Sequence, residues 1–130
     1  MSRDTVVRLA RPDASRVEID AGPHHLVGDE GPSLGGVDAG PAPYEYLCTA
    51  LGCCTTITLQ MYAKRKQWPL EGVTVTVRHA KVNNDDTMER EVKLAGKLDD
   101  EQRARLLDVA NKCPVHKTLS PAIKVTTRLT

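Results

Sequence analysis

PYEYLCTALGCCTTITLQMYAKRK, residues Pro43 to Lys66, decides the fold. Leu47, Ala50, Leu51, Cys54, Ile57, Thr58 and Met61 recur at three- and four-residue spacing, the period of a helix that turns one stripe toward a core. Pro43 fits the first turn, where its missing N–H would have no helical partner in any case. The other side carries Thr49, Cys53, Thr56 and Gln60 and no charge. A helix uncharged all round is normally covered on more than one side. A chain of this length supplies a sheet for one side, and a second copy of the same helix would cover the other. Tyr46 to Ala63 is 18 residues without a formal charge, the lower limit of a membrane span at about 17 to 25 residues. Four Thr, one Gln, one Gly and three Cys make it too polar for that role. A buried helix of a water-soluble domain is expected instead.

Before this helix, Val17 and Ile19 alternate with Arg16, Glu18 and Asp20, as in a short strand. Ala21-Gly22-Pro23-His24 then carries turn signals. Gly28 to Pro43 holds five Gly and three Pro and reads as a long loop, the kind that often packs over a site. After the helix, Val73, Val75 and Val77 alternate with Thr74, Thr76 and Arg78. Val92 and Leu94 alternate with charged residues beyond the Asn83-Asn84-Asp85-Asp86 turn, which predicts a hairpin. Asp99 with Gln102 forms a capping-box pattern and opens a second helix. Its stripe Leu106, Val109, Ala110, Cys113 faces a core. Pro114 stops that helix and opens a further turn that ends before Pro121. Ile123, Val125, Thr127 and Leu129 share one face of a last strand. Nothing divides the 130 residues, and a single domain spanning 1–130 is expected.

Eighteen Lys plus Arg against 17 Asp plus Glu give a net charge of +1, which excludes a nucleic-acid footprint or binding to an anionic membrane. With three Tyr, one Trp and no Phe, the core must be aliphatic. The N-terminus Met1-Ser2-Arg3-Asp4-Thr5-Val6-Val7-Arg8 has no apolar signal region, so a cytoplasmic location is expected. Stable disulfides are uncommon there, and the four cysteines read as thiols, metal ligands or redox groups.

Cys113 would sit at the N-cap of the turn opened by Pro114, where backbone N–H groups favour a thiolate. A small buried hydrophobe capping a helix is the equal alternative. Cys54 lies mid-helix, which favours an inert residue unless a cation, ideally an Arg, is brought to it. Cys53 points about 100° away from Cys54, and Cys48 flanks the stripe, so both read as structural. Metal is the rival chemistry, through Cys113-Pro114-Val115-His116, His24-His25 and Cys53-Cys54, but adjacent ligands chelate poorly on regular elements. No metal or cofactor is expected. His79 and His116 read as surface or satisfied core residues.

Gly40-Pro41-Ala42-Pro43-Tyr44-Glu45-Tyr46-Leu47, then Ala50-Leu51-Gly52-Cys53-Cys54-Thr55, resembles the OsmC/Ohr family of osmotically inducible and organic hydroperoxide resistance proteins. Met61 to Lys66, Trp68-Pro69-Leu70-Glu71-Gly72-Val73 and Cys113-Pro114-Val115-His116-Lys117-Thr118-Leu119 extend the likeness. Asp29-Glu30, Gly35-Gly36 and Asp38 point to its OsmC-like branch. The resemblance implies an α+β fold: an intertwined homodimer with antiparallel sheets around buried central helices. It implies a thiol peroxidase acting on organic hydroperoxides or hydrogen peroxide, reset by a dithiol reductant. Cys54 matches the peroxidatic cysteine and Cys113 the resolving one. The family Glu stands ten residues before the reactive Cys, a slot that holds Tyr44 here. Glu45, one residue later, lies about 180° from Cys54 on a straight helix, where ten residues would leave about 80°. Arg16, followed by Arg11, is the candidate for the family Arg. The alternative function on the same fold is a non-peroxidase redox sensor, or a protein that binds small molecules or handles sulfur.

Overall fold

The computed structural model describes residues 3–121 and residue 128. The strand expected around Ile123, Val125, Thr127 and Leu129 lies outside the described residues. The chain is of the α+β class with antiparallel sheets and forms two compact units, Met1–Leu47 and Cys48–Thr130.

In the first unit, β1 (Thr5–Leu9), β2 (Val17–Ala21) and β3 (His24–Gly28) form an antiparallel sheet in that order. Ala21 pairs with His24, so Gly22 and Pro23 alone make the turn. Gly22 supplies its φ of 57°, the left-handed conformation that a Cβ penalises. The long loop that follows holds a 3-10 turn, Pro32–Leu34, and is gathered by one buried carboxylate. Asp29 accepts the Ser15 hydroxyl and the N–H groups of Glu30, Val37 and Ala39. These bonds, led by Ser15, hold its carboxyl down at about 2. At Gly36 a Cβ would collide with the Glu30 carbonyl, so the loop closes this tightly only with glycine there.

Helix α1 spans Pro43–Lys66, as its sequence predicts. Gln67 ends it at φ 59°, and the Trp68 N–H returns to the Ala63 carbonyl at 2.9 Å. In the second unit, β4 (Leu70–Val82) and β5 (Asp85–Gly96) pair in a hairpin. Val82 faces Asp85, so the turn is narrower than the Asn83–Asp86 expectation. Asn83 and Asn84 both take positive φ, 52° and 69°, as a two-residue turn matching strand twist requires. Helix α2 (Asp100–Ala110) opens on the full Asp99–Gln102 capping box. It stops three residues before Cys113, with Asn111 as its C-cap. Helix α3 (Pro114–Leu119) begins immediately after Cys113, which is its N-cap.

The core of this unit is aliphatic: Leu59, Ala63, Leu98, Leu106 and Ala110, with Tyr62, Trp68, Leu70, Val73, Val92 and Leu94 packed on it. The buried line of α1 is Leu51, Thr55, Leu59 and Ala63. It runs beside the stripe expected from the sequence. Ile57 and Met61, expected in the core, are 57% and 62% exposed. An uncharged helix has no polar face to break that tie. Among the described residues no helix is long and apolar enough to cross a membrane.

Candidate functional site

Three elements of the second unit bring the two cysteines together. Cys54 stands on α1, half-buried, one residue before the buried Thr55. Cys113, 0% exposed, stands where α2 has ended and α3 begins. The thiols are neighbours, close enough for the Cys54 thiol to act on Cys113 as a hydrogen-bonding group, and both are reduced.

Pro114 has no N–H, so the first amide donors of α3 are Val115 and His116. The Val115 N–H donates to Cys54 Sγ at 3.5 Å. The His116 N–H acts on Cys113 Sγ electrostatically, though its geometry stops short of a capping hydrogen bond. Two consecutive amides thus serve two different sulfurs. Burial raises the pKa of the Cys113 thiol. The His116 N–H, the Thr55 hydroxyl, the Cys54 thiol and the charge of Arg90 outweigh it, and the pKa lies below the ordinary thiol value.

Thr55 Oγ1 donates to the Leu51 carbonyl at 2.7 Å and lies 3.7 Å from Cys113 Sγ. That oxygen accepts from Arg90, and between it and the Cys113 sulfur either atom can be the donor. Arg90 Nη1 donates to that oxygen at 3.0 Å and reaches Cys113 Sγ at 3.9 Å. Arg90 Nη2 donates to Asn111 Oδ1 at 2.9 Å and to His116 Nδ1 at 3.0 Å. The last bond requires the neutral imidazole with its proton on Nε2.

Arg90 is the residue that sequence reasoning missed. Its signal was present in β5, where Met88, Arg90, Val92 and Leu94 share the half-buried face and Thr87, Glu89, Glu91 and Lys93 are exposed. An Arg on the inward face of an alternating strand is out of place unless something there needs it. His116, expected at the surface or satisfied in the core, is one of its partners. The other candidates lie in the first unit. Arg16 pairs with Glu18 at 3.1 Å, Arg11 with Asp13 at 2.7 Å, and the Glu45 carboxylate accepts the Ala42 N–H at 2.9 Å. Cys53 is exposed and Cys48 half-buried. Among the described residues no group of three or more His, Cys, Asp or Glu side chains is placed to hold a metal ion.

The sequence matches the family described as OsmC-like protein over residues 35–128, well over half its length. The chain belongs to the OsmC family. Solved structures of the same fold include the OsmC-like protein of Mycoplasma pneumoniae, at TM-score 0.77 and 18% identity over 93% of this chain and 89% of that one. The organic hydroperoxide resistance protein OsmC of Legionella pneumophila gives 0.62 and 19% over 88% of each chain. The organic hydroperoxide resistance protein OhrB of Bacillus subtilis gives 0.61 and 18% over 90% and 89%. At these identities the likeness is one of fold. Comparison with curated proteins returns no match.

Proposed function

We propose that this OsmC-family protein is a thiol-dependent peroxidase that reduces organic hydroperoxides, with Cys54 as the attacking sulfur and Cys113 as the resolving one. The observation that carries the reading is the pairing of a half-buried Cys54, with a backbone donor on its sulfur, against a fully buried Cys113. Cys54 is partly open to solvent, and Cys113 is closed off from it. The organic hydroperoxide resistance proteins that share the fold support the same chemistry.

The Cys54 thiolate attacks the terminal peroxide oxygen, the O–O bond breaks, and the alkoxide takes up a proton and leaves as an alcohol. Cys54 is then a sulfenic acid. The Cys113 sulfur attacks it, an S–S bond forms, and hydroxide leaves and is protonated to water. A dithiol restores both thiols by exchange and is itself oxidised to a disulfide. No cofactor enters any of these steps. The working unit in this reading is a homodimer in the cytoplasm. Cys53, Ile57 and Met61 form an exposed, uncharged line along α1 that a second copy would cover.

Reduced protein mixed with cumene hydroperoxide tests this directly. The expected result is one peroxide consumed for each Cys54–Cys113 disulfide formed. Cys54→Ser should consume none, and Cys113→Ser should consume one equivalent and accumulate a sulfenic acid trapped by dimedone. Wild-type protein that leaves the hydroperoxide untouched refutes the proposal.

A further inference from the structure

Arg90 is half-buried on the inward face of β5, opposite Val77 in the hairpin register. A cation in that position needs compensation for the water it has lost. Among the described residues its partners are the Thr55 hydroxyl from α1, the Asn111 amide at the end of α2, the His116 imidazole from α3 and the Cys113 sulfur, and no carboxylate is one of them. Thr55 and Asn111 do not ionise near neutral pH, and His116 accepts as a neutral ring. Of these partners Cys113 alone can take on a negative charge. Cys54 receives its donor from Val115.

We infer that Arg90 is the positioning residue of the resolving sulfur: it holds Cys113 as the sulfur that attacks the Cys54 sulfenic acid and, once the disulfide exists, as the sulfur that leaves. The inference rests on the two-cysteine reading above. In the forward step the Cys113 thiolate forms the S–S bond and the Cys54 S–O bond breaks. Hydroxide departs with the electron pair and takes up the proton that Cys113 gave up, so the product is water. In the return step a thiolate of the dithiol reductant attacks Cys54 Sγ, the accessible sulfur. The S–S bond breaks, and its electron pair settles on Cys113 Sγ beside the guanidinium. The second thiol of the reductant then attacks the mixed disulfide and releases the Cys54 thiolate and the oxidised dithiol. A sulfur stabilised as an anion is the better leaving group, so Arg90 also speeds the return step.

Arg90→Met and Arg90→Lys, each checked for folding by circular dichroism, test the assignment. Peroxide consumption in the first turnover should be close to wild type in Arg90→Met. Conversion of the sulfenic acid to disulfide should slow by about threefold or more at neutral pH, because without the guanidinium less of Cys113 is thiolate, a loss only partly offset by the greater nucleophilicity of what remains. That step should recover as pH rises, and Arg90→Lys should restore most of the neutral-pH rate. If the first turnover and the disulfide step slow together, or if neither changes, the inference is overturned. Should Arg90→Met not fold, the Lys variant and Asn111→Ala, which frees one side of the guanidinium, must shift the pH profile of the disulfide step in the same direction.

A separate arm uses no peroxide. The Cys54–Cys113 disulfide is formed with diamide and reduced by a bulky aromatic dithiol, and the mixed disulfide is located by mass spectrometry. It should lie on Cys54 in both proteins, since Cys113 is buried, and form more slowly, by about threefold or more, in Arg90→Met at neutral pH, where the leaving sulfur has lost its cation. An unchanged rate refutes Arg90 even where the peroxide reaction succeeds. If wild type ignores peroxide yet Arg90→Met slows this reduction, the peroxidase reading fails and the placement of Arg90 stands.

Discussion

Each unit of the chain is organised by one charged side chain, and the two do opposite things. Asp29 in the first unit collects donors: the Ser15 hydroxyl and the amides of Glu30, Val37 and Ala39. Arg90 in the second collects acceptors: Thr55, Asn111, His116 and Cys113. The partners of Asp29 have no accessible second state, since amides and a hydroxyl neither ionise nor exchange covalent bonds near neutral pH. Its cluster therefore fixes a loop and does nothing more. The partners of Arg90 include a thiol, a group that changes charge and bonding within the physiological range. A satisfied charge is architecture when its partners are inert and becomes chemistry when one of them can react.

Cys113→Ser should expose that contrast most strongly. It removes the reactive partner and leaves Arg90 with neutral ones. Steady-state peroxide turnover on a dithiol should fall by roughly tenfold or more, while the first turnover persists. Turnover at the wild-type level would break the comparison, because Arg90 would then be architecture like Asp29.

Asp29→Asn should have a smaller and purely local effect. The amide keeps one acceptor oxygen and loses the charge that draws the others. Hydrogen exchange at the Val37 and Ala39 amides should quicken by about tenfold, with peroxide consumption unchanged. Because folding depresses this carboxyl to about 2, its contribution is complete above the unfolded value of about 3.9 and is lost as pH falls through the folded one. Protection of those two amides in wild type should therefore survive to near pH 3, by the same linkage, and collapse below it. A loss of peroxide consumption in Asp29→Asn would show that the loop does more than hold its shape.

The smallest effect belongs to His25, which bridges Glu18 at 2.8 Å and Asp20 at 3.1 Å on the surface of the first sheet. Those carboxylates, Asp20 first, raise its pKa. Its stabilisation is complete below the unfolded value of about 6.5 and disappears as pH rises through the raised folded value. His25→Gln should lower the melting temperature slightly at about pH 5 and not at all at alkaline pH, and added salt should erase even that difference.

Much of this arrangement was legible in the residues. The bounds of α1, the Asp99 cap and the place of Cys113 ahead of Pro114 each follow from a local rule of backbone hydrogen bonding. The hairpin followed from two alternating runs around an Asn pair. What was hidden depends on partners distant in sequence. Nothing near Asp29 announces that the amides of Val37 and Ala39 will turn toward it. Nothing near Cys54 names the cation of the site, which arrives from a strand 36 positions later in the sequence. Arg90 was visible in principle as a charge on the wrong face of β5. The helix stripe was misplaced toward Ile57 and Met61 for a related reason, since without charges around α1 neighbouring registers look alike.

Pro114 carries a further consequence. A peptide bond that ends in proline offers no hydrogen, so the entrance to α3 is short of one donor at its first position. The next two amides are divided between Cys54 and Cys113, one for each sulfur. Drawing two sulfurs from mutual contact to a bond of about 2.05 Å therefore tugs on adjoining peptide planes of one short helix. The backbone amide resonances of Val115 and His116 become a built-in gauge of oxidation, readable by NMR without a label on either cysteine.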